Sequence, residues 1–227
     1  MNIHILGGGC YGYSQASLLL KAMDRGALER SSLILVDRNE KPPAMERLMD
    51  DRVKHVRADW AEYLKDYFEH YNGQNDRLVP AHIAPHLLMQ VTAALLSKRT
   101  GLECHMDRVS DDFNLPFKKV VDGTLFISAA AWLCPFSCIE PEVCPAIRKE
   151  RDWDLGVIVP EAMKRDCDTT LLFKTRHFVW GVGSIPCQEI DASLHYGEEL
   201  LLKKGRGRLA VATTSNCHGA VSVLRFG

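Results

Sequence analysis

Three groups of residues combine types and spacings that can do chemistry. The first is Gly7-Gly8-Gly9-Cys10-Tyr11-Gly12, which satisfies G-x-G-x-x-G at Gly7, Gly9 and Gly12. That spacing suits a pyrophosphate. The first glycine permits a tight turn, the second lets the phosphates approach the backbone, and the third lets a helix pack close to a strand. Free N–H groups at the helix start then face the anion. Asp37 lies near the ~20-residue offset at which a carboxylate meets the ribose hydroxyls of NAD. Arg38, beside it, offers a partner for the 2′-phosphate of NADP instead.

The second group is the loop Cys134-Pro135-Phe136-Ser137-Cys138, continued through Ile139-Glu140-Pro141-Glu142-Val143 to Cys144-Pro145. Its spacing is C-x3-C-x5-C, with two thiols directly followed by proline, which stiffens a loop. Thiolates select zinc or iron–sulfur clusters. The pattern matches neither a C-x2-C zinc pair nor the ferredoxin run. A fourth ligand is expected from Cys217, next to His218, or from Cys187. The alternatives are a three-thiol site with an open position, redox-active thiols, and plain packing cysteines. In the third group, His82 and His86 flank Pro85 after a short strand. An imidazole, with an unperturbed pKa of ~6.5, is suited to general acid or base work there. His82 is the better placed of the two, because His86 falls in a first helical turn, where the dipole disfavours its cation. Surface and packing histidines are the plain alternative.

The elements that must position these residues alternate in the first hundred positions. Ile3–Leu6, Ser32–Val36, Val53–Val56 and Arg77–Pro80 read as strands. Ala16, Leu19, Leu20 and Met23 recur at helical spacing, and further helices are expected from Ala61 to His70 and from Pro85 onward. Such alternation predicts a parallel sheet with helices on its faces. The rest is strand-rich, with strands expected at Thr124–Ala131, Gly156–Val159, Leu171–Phe173, Phe178–Val182, Leu209–Thr213 and Ala220–Phe226. Helices are expected there only at Pro160–Arg165 and Ser193–Lys203. The fold class is therefore α/β: a Rossmann-like parallel sheet over residues 1–100, and a strand-rich region over 101–227 carrying the cysteine loop, either separate or continuous with the same sheet.

The glycine loop and Asp37, in their strand–loop–helix–strand context, resemble NAD(P)-binding Rossmann domains, including the TrkA-type regulatory domains. The resemblance covers roughly residues 1–100 and implies cofactor-binding roles for Gly7, Gly9, Gly12 and Asp37. It names no reaction, because this fold serves many. Ala58-Asp59-Trp60, after the third strand, opens a competing resemblance to S-adenosylmethionine-dependent methyltransferases, with Asp59 toward the adenine. Asp59 is equally a helix N-cap. The leading expectation is an NAD(P)-dependent oxidoreductase with a cysteine-ligated zinc or iron–sulfur site. A methyltransferase and a non-catalytic nucleotide-sensing module are the alternatives.

Composition narrows the setting. The 227 residues carry 28 basic and 29 acidic side chains, a net charge of −1, which argues against a general nucleic-acid binder. The most apolar stretch, Leu125 to Phe136, is shorter than the ~20 residues of a spanning helix. A cytoplasmic protein with free thiols is expected. Its partner would be a small-molecule ligand, with a second copy of the chain or a redox protein as further candidates.

Overall fold

The computed structural model describes all residues except 81–83, 85, 136, 137 and 139. The chain runs β1 (Asn2–Leu6), α1 (Cys10–Asp24), β2 (Ser32–Asp37), α2 (Pro43–Arg47), β3 (Val53–Arg57), α3 (Trp60–Glu69) and β4 (Arg77–Val79). It continues through α4 (Leu87–Thr100), β5 (Cys104–Asp107), β6 (Phe117–Val121), β7 (Thr124–Ser128), β8 (Val143–Cys144), β9 (Lys149–Glu150) and α5 (Leu155–Met163). It ends with β10 (Thr169–Lys174), β11 (Arg176–Val179), β12 (Val182–Pro186), α6 (Cys187–Lys204), β13 (Gly207–Thr214) and β14 (His218–Phe226). The fold is mixed α/β. Against a boundary expected near Thr100, it divides into one compact unit of Met1–Ala84 plus Arg176–Asp191, and a second of Pro85–Thr175 plus Ala192–Gly227.

The first unit holds a six-stranded sheet in the order β11-β12-β4-β1-β2-β3. Its members β4, β1, β2 and β3 are parallel, whereas β12 joins β4, and β11 joins β12, antiparallel. The alternation of β1 assigns its two faces. Ile3 and Ile5 pack in one cluster with Ala16, Leu19 and Leu20 of α1, and with Leu33 and Leu35 of β2. His4 turns to the other face, where its Nδ1 lies 2.7 Å from the Tyr63 hydroxyl of α3. The expected single strand Phe178–Val182 is split: Phe178 and Val179 end β11, Val182 opens β12, and Trp180 and Gly181 form the hairpin turn between them, both at positive φ.

The second unit holds a sheet in the order β10-β13-β14-β7-β6, with β5 also on β14, and a separate β8–β9 ribbon. Leu125, Ile127, Ala210, Ala212, Val221 and Val223 supply one buried face, on which Leu155, Val159 and Met163 of α5 pack. Here the sequence expectation needs correcting: Gly156–Val159 is helix, not strand. The buried residues of α5 recur four apart, and Asp154 caps the helix by accepting from the Gly156 N–H at 2.7 Å.

The His4 face carries a pH dependence. His4 and Asp76 are 3% and 2% exposed, with His4 Nε2 3.5 Å from Asp76 Oδ2. Burial lowers the His4 pKa more than the Asp76 charge raises it. An imidazole depressed in the fold takes up its proton first in the unfolded chain, so its contribution is present above the ordinary value of 6.5 and lost as pH falls below it. Burial works to raise Asp76, but hydrogen bonds from Asn2 and Tyr67 and the His4 charge hold it low, so its contribution fades only below 3.8. We expect the unfolding midpoint in urea to be flat above pH 7 and to drop as pH falls below 6.5, the limb His4 sets. His4→Phe should flatten that limb and leave the fall below pH 3.8 in place.

Candidate functional site

The glycine loop leaves the carboxyl end of β1 and turns back through Gly7, whose φ is +99° and whose N–H donates to the Val36 carbonyl at 2.8 Å. Gly12 closes the turn, and a Cβ there would stand 1.8 Å from the Gly7 carbonyl oxygen. Gly9 faces open space, with nothing within 4 Å of where its Cβ would be. It is also the N-cap of α1, with no side-chain cap and no acidic residue in the first turn. The helix start therefore presents the positive end of its dipole with no side-chain cap and no acidic residue beside it.

Asp37 ends β2 beneath this loop and is 8% exposed. Its Oδ2 accepts from the Gly8 N–H at 2.7 Å, and its Oδ1 from the Asn39 N–H at 2.8 Å. One lone-pair direction on each oxygen is left over. Asp59 caps α3 by accepting from the N–H groups of Ala61 and Glu62, as the plain reading held. Gly7, Gly9, Gly12, Asp37, Arg38 and Asp59 line one cavity of about 430 Å³, a volume usual for small-molecule sites.

Trp60 and Gln15 also line it, and the sequence reading did not single them out as ligand contacts. Trp60 donates from Nε1 to the Val36 carbonyl at 3.0 Å and packs its ring on Gly7. Gln15 is 7% exposed, and its Oε1 has no hydrogen-bond partner among the described residues. A buried amide oxygen without a partner is costly in an empty pocket, and a ligand hydroxyl or amine removes that cost. Its place in the second turn of α1, three residues after Gly12, was the available signal.

Of the two histidines, His82 lies outside the described residues. His86 stands at the N-cap of α4 in the second unit, where its carbonyl accepts from the N–H groups of Met89 and Gln90.

The cysteine loop lies in the second unit. The Cys138 N–H donates to the Pro135 carbonyl at 2.9 Å. Burial pushes the Cys134 thiol up, and the charges of Cys138, Cys144 and Glu140 add to that rise. Cys144 differs. It takes hydrogen bonds from the N–H groups of Ile147 and Ala146 and from Arg151, and its pKa is lowered. Cys104 and Cys167, by contrast, are pushed up to about 11 chiefly by burial.

Cys217 is 4% exposed and engaged elsewhere. Its sulfur accepts from Trp153 Nε1 at 3.4 Å, and burial pushes it up to about 11. Glu140 binds the Ser215 hydroxyl at 2.5 Å and the Asn216 and Cys217 N–H groups at 2.8 and 3.1 Å. Cys187 belongs to the first unit, where burial pushes it up to about 12 and it bonds to Tyr67. Among the described residues, no group of three or more His, Cys, Asp or Glu side chains converges at metal-binding spacing.

Residues 84–227 match a family described as "Uncharacterized protein, C-terminal domain". That span contains the cysteine loop and His86 and begins after the glycine loop. A protein of Archaeoglobus fulgidus described as "Uncharacterized protein" is 26% identical over 233 residues, covering 97% of this chain and 98% of its own. No solved structure matches the chain. Among the described residues, no helix is long and apolar enough to cross a membrane.

Proposed function

The chain belongs to the AF_1314_C family ("Uncharacterized protein, C-terminal domain"), matched over residues 84–227, and we propose that ahead of that domain it carries the dinucleotide site of an NAD(P)-dependent oxidoreductase. The observation that carries this reading is the gathering of Gly7, Gly9, Gly12 and Asp37 on one cavity at the uncapped start of α1. The parallel order β3-β2-β1-β4 supports a Rossmann-like half, since 3-2-1 is the order of a mononucleotide-binding unit and a fourth strand beside the first is where the doubly wound order continues.

The residues fit the cofactor. Gly9 leaves room where a pyrophosphate would approach the backbone. The N-terminus of α1 supplies N–H groups to it. Asp37 accepts from ribose hydroxyls through its spare lone pairs, Gln15 accepts one further donor, and Trp60 offers an aromatic face. When bound, the nicotinamide gives or takes hydride. By its place after β4 in the sequence, His82 is the candidate for moving the proton.

The Asp37 carboxylate repels a 2′-phosphate, so NAD should bind more tightly than NADP despite Arg38. Asp37→Ala should weaken NAD binding by about tenfold to a hundredfold, the range expected for losing a hydrogen bond to a charged acceptor, and erase the preference over NADP. Fluorescence titration with NADH and NADPH measures both. Binding of neither at millimolar concentration would remove the proposal.

Asp59 and Trp60 on the same cavity favour one second reading, methyl transfer from S-adenosylmethionine. Thermal shift separates the two, since a ligand at 100 times its Kd adds about 2.7 kcal/mol. Stabilisation by S-adenosylhomocysteine and not by NAD would select the methyltransferase. Tight NAD binding with no turnover of any hydride donor or acceptor would select a sensing module.

A further inference from the structure

We propose that Arg206, Arg225 and His105 of the second unit form a site for a phosphate group, carried by inorganic phosphate or by a small phosphate monoester. The inference is independent of the dinucleotide site, because it rests on other residues in the other unit and its test reads phosphate alone.

The site begins with a strand register. Arg208 of β13 lies directly opposite Arg225 of β14, and Arg225 directly opposite His105 of β5. Opposed residues share a face of the sheet. Arg208 alternates with Ala210 and Ala212, and Arg225 with Val223 and Val221, so the row stands on the face that α5 covers further along. Like charges directly opposite one another destabilise a strand pair. Long stems let two arginines splay apart, but Arg208 is pinned. Its Nε donates to Asp107 at 2.9 Å, and its two terminal nitrogens donate to the carbonyls of Asp166 at 2.6 Å and Arg108 at 2.7 Å.

Arg206 joins from the turn before β13. Gly205, at a φ of +68°, turns the chain out of α6, and a Cβ on Gly227 would stand 3.7 Å from the Arg206 Cβ. Arg206, Arg208, Arg225, His105 and Asp168 line one cavity of about 510 Å³.

The charges on that cavity do not cancel. Asp168 accepts from Lys204 at 2.5 Å and from the Arg208 N–H at 2.8 Å, while Asp107 is taken by Arg208. Among the described residues, neither the Arg206 nor the Arg225 guanidinium has a hydrogen bond or an ion pair, and each acts on those carboxylates only through charge at a distance. His105 stands 3.5 Å from Glu103, but that pair is 60% and 82% exposed, so it holds the imidazole only weakly.

A phosphate fits this set. Each guanidinium is a planar fork that matches two phosphate oxygens. Two forks and one ring nitrogen approach from three chain segments, and a tetrahedral anion has oxygens for all of them. An anion beside Arg225 also offsets the charge it shares with Arg208. The cavity leaves room for the organic part of a small monoester, and the net charge of −1 favours such a ligand over nucleic acid.

The test is calorimetric titration of the full chain with inorganic phosphate, glycerol 3-phosphate and a short duplex DNA. Chloride at about 0.15 M screens distant charges. We expect one site saturating with a Kd of about 1 mM or below. Arg225→Ala and Arg206→Ala should each weaken it at least about tenfold, while Lys164→Ala, an exposed cation on the same unit, leaves it unchanged. A tighter Kd for glycerol 3-phosphate assigns the site to monoesters, and equal values assign it to free phosphate. Urea unfolding checks the variants. Without phosphate, Arg225→Ala should be at least as stable as the parent, because an opposed like charge is gone; phosphate should stabilise the parent and not the variant. No saturation by about 10 mM of either phosphate, or an equal loss in Lys164→Ala, would overturn the site. Tighter binding of the duplex with a steep salt dependence would replace it with a nucleic-acid surface.

Discussion

Gly12→Ala should leave a protein that neither binds dinucleotide nor holds its first unit firmly. The added methyl would lie 1.8 Å from the Gly7 carbonyl oxygen, a backbone atom with no side-chain freedom to yield. Loop and helix must part, and a forced backbone shift of this kind costs about 3 kcal/mol or more. Gly9→Ala is its control. It meets nothing within 4 Å and its φ of −81° is ordinary, so stability should hold. Yet the methyl would occupy the approach proposed for the pyrophosphate, and NADH affinity should fall at least about tenfold. Urea unfolding and NADH titration on both variants separate the effects. If Gly9→Ala binds NADH as the parent does, the pyrophosphate does not lie there.

Asp76→Ala is expected to be the most destabilising change on the opposite face of the sheet. Asp76 accepts from the Asn2 N–H at 2.7 Å, the Asn2 amide at 3.2 Å and the Tyr67 hydroxyl at 3.0 Å, all beside buried His4. Removing the carboxylate strands those donors in an apolar setting. Each buried donor left without an acceptor costs about 1–3 kcal/mol. Asp76→Asn keeps the shape and an acceptor, and should recover part of that loss. Urea midpoints at pH 7.5 test both, and a loss below about 1 kcal/mol in Asp76→Ala would mean that water replaces the carboxylate.

How far this was legible in the sequence depended on chain distance. The glycine loop could be read because its chemistry is local: turn, phosphate approach and helix start fall within six residues, and Asp37 follows one strand later. Gln15 and Trp60 were not legible as cavity residues, since each acquires its role from neighbours that only the folded sheet supplies. Two local signals were present and unused. Asp122-Gly123 is a two-residue hairpin turn, and β6 pairs with β7 across it. Leu155, Val159 and Met163 recur at helical spacing behind Asp154, but the short apolar run they bracket reads as a strand. The pairing of Ile185 with Leu78 joins positions a hundred residues apart, and no local pattern announces it.

That last pairing bears on how the protein is made. When the ribosome has delivered residues 1–84, four of the six strands of the first sheet exist, and β4 presents a bare hydrogen-bonding edge. Val179 and Val182, which pack in the same cluster as Ile3, Ile5 and Leu19, are still unsynthesised. At roughly 5–20 residues per second the nascent sheet waits several seconds for its remaining strands. A fragment ending at residue 84 would keep every proposed dinucleotide contact and still expose that edge. Joining residue 84 to residue 176 through a linker would bring β11 and β12 onto that edge without the second unit.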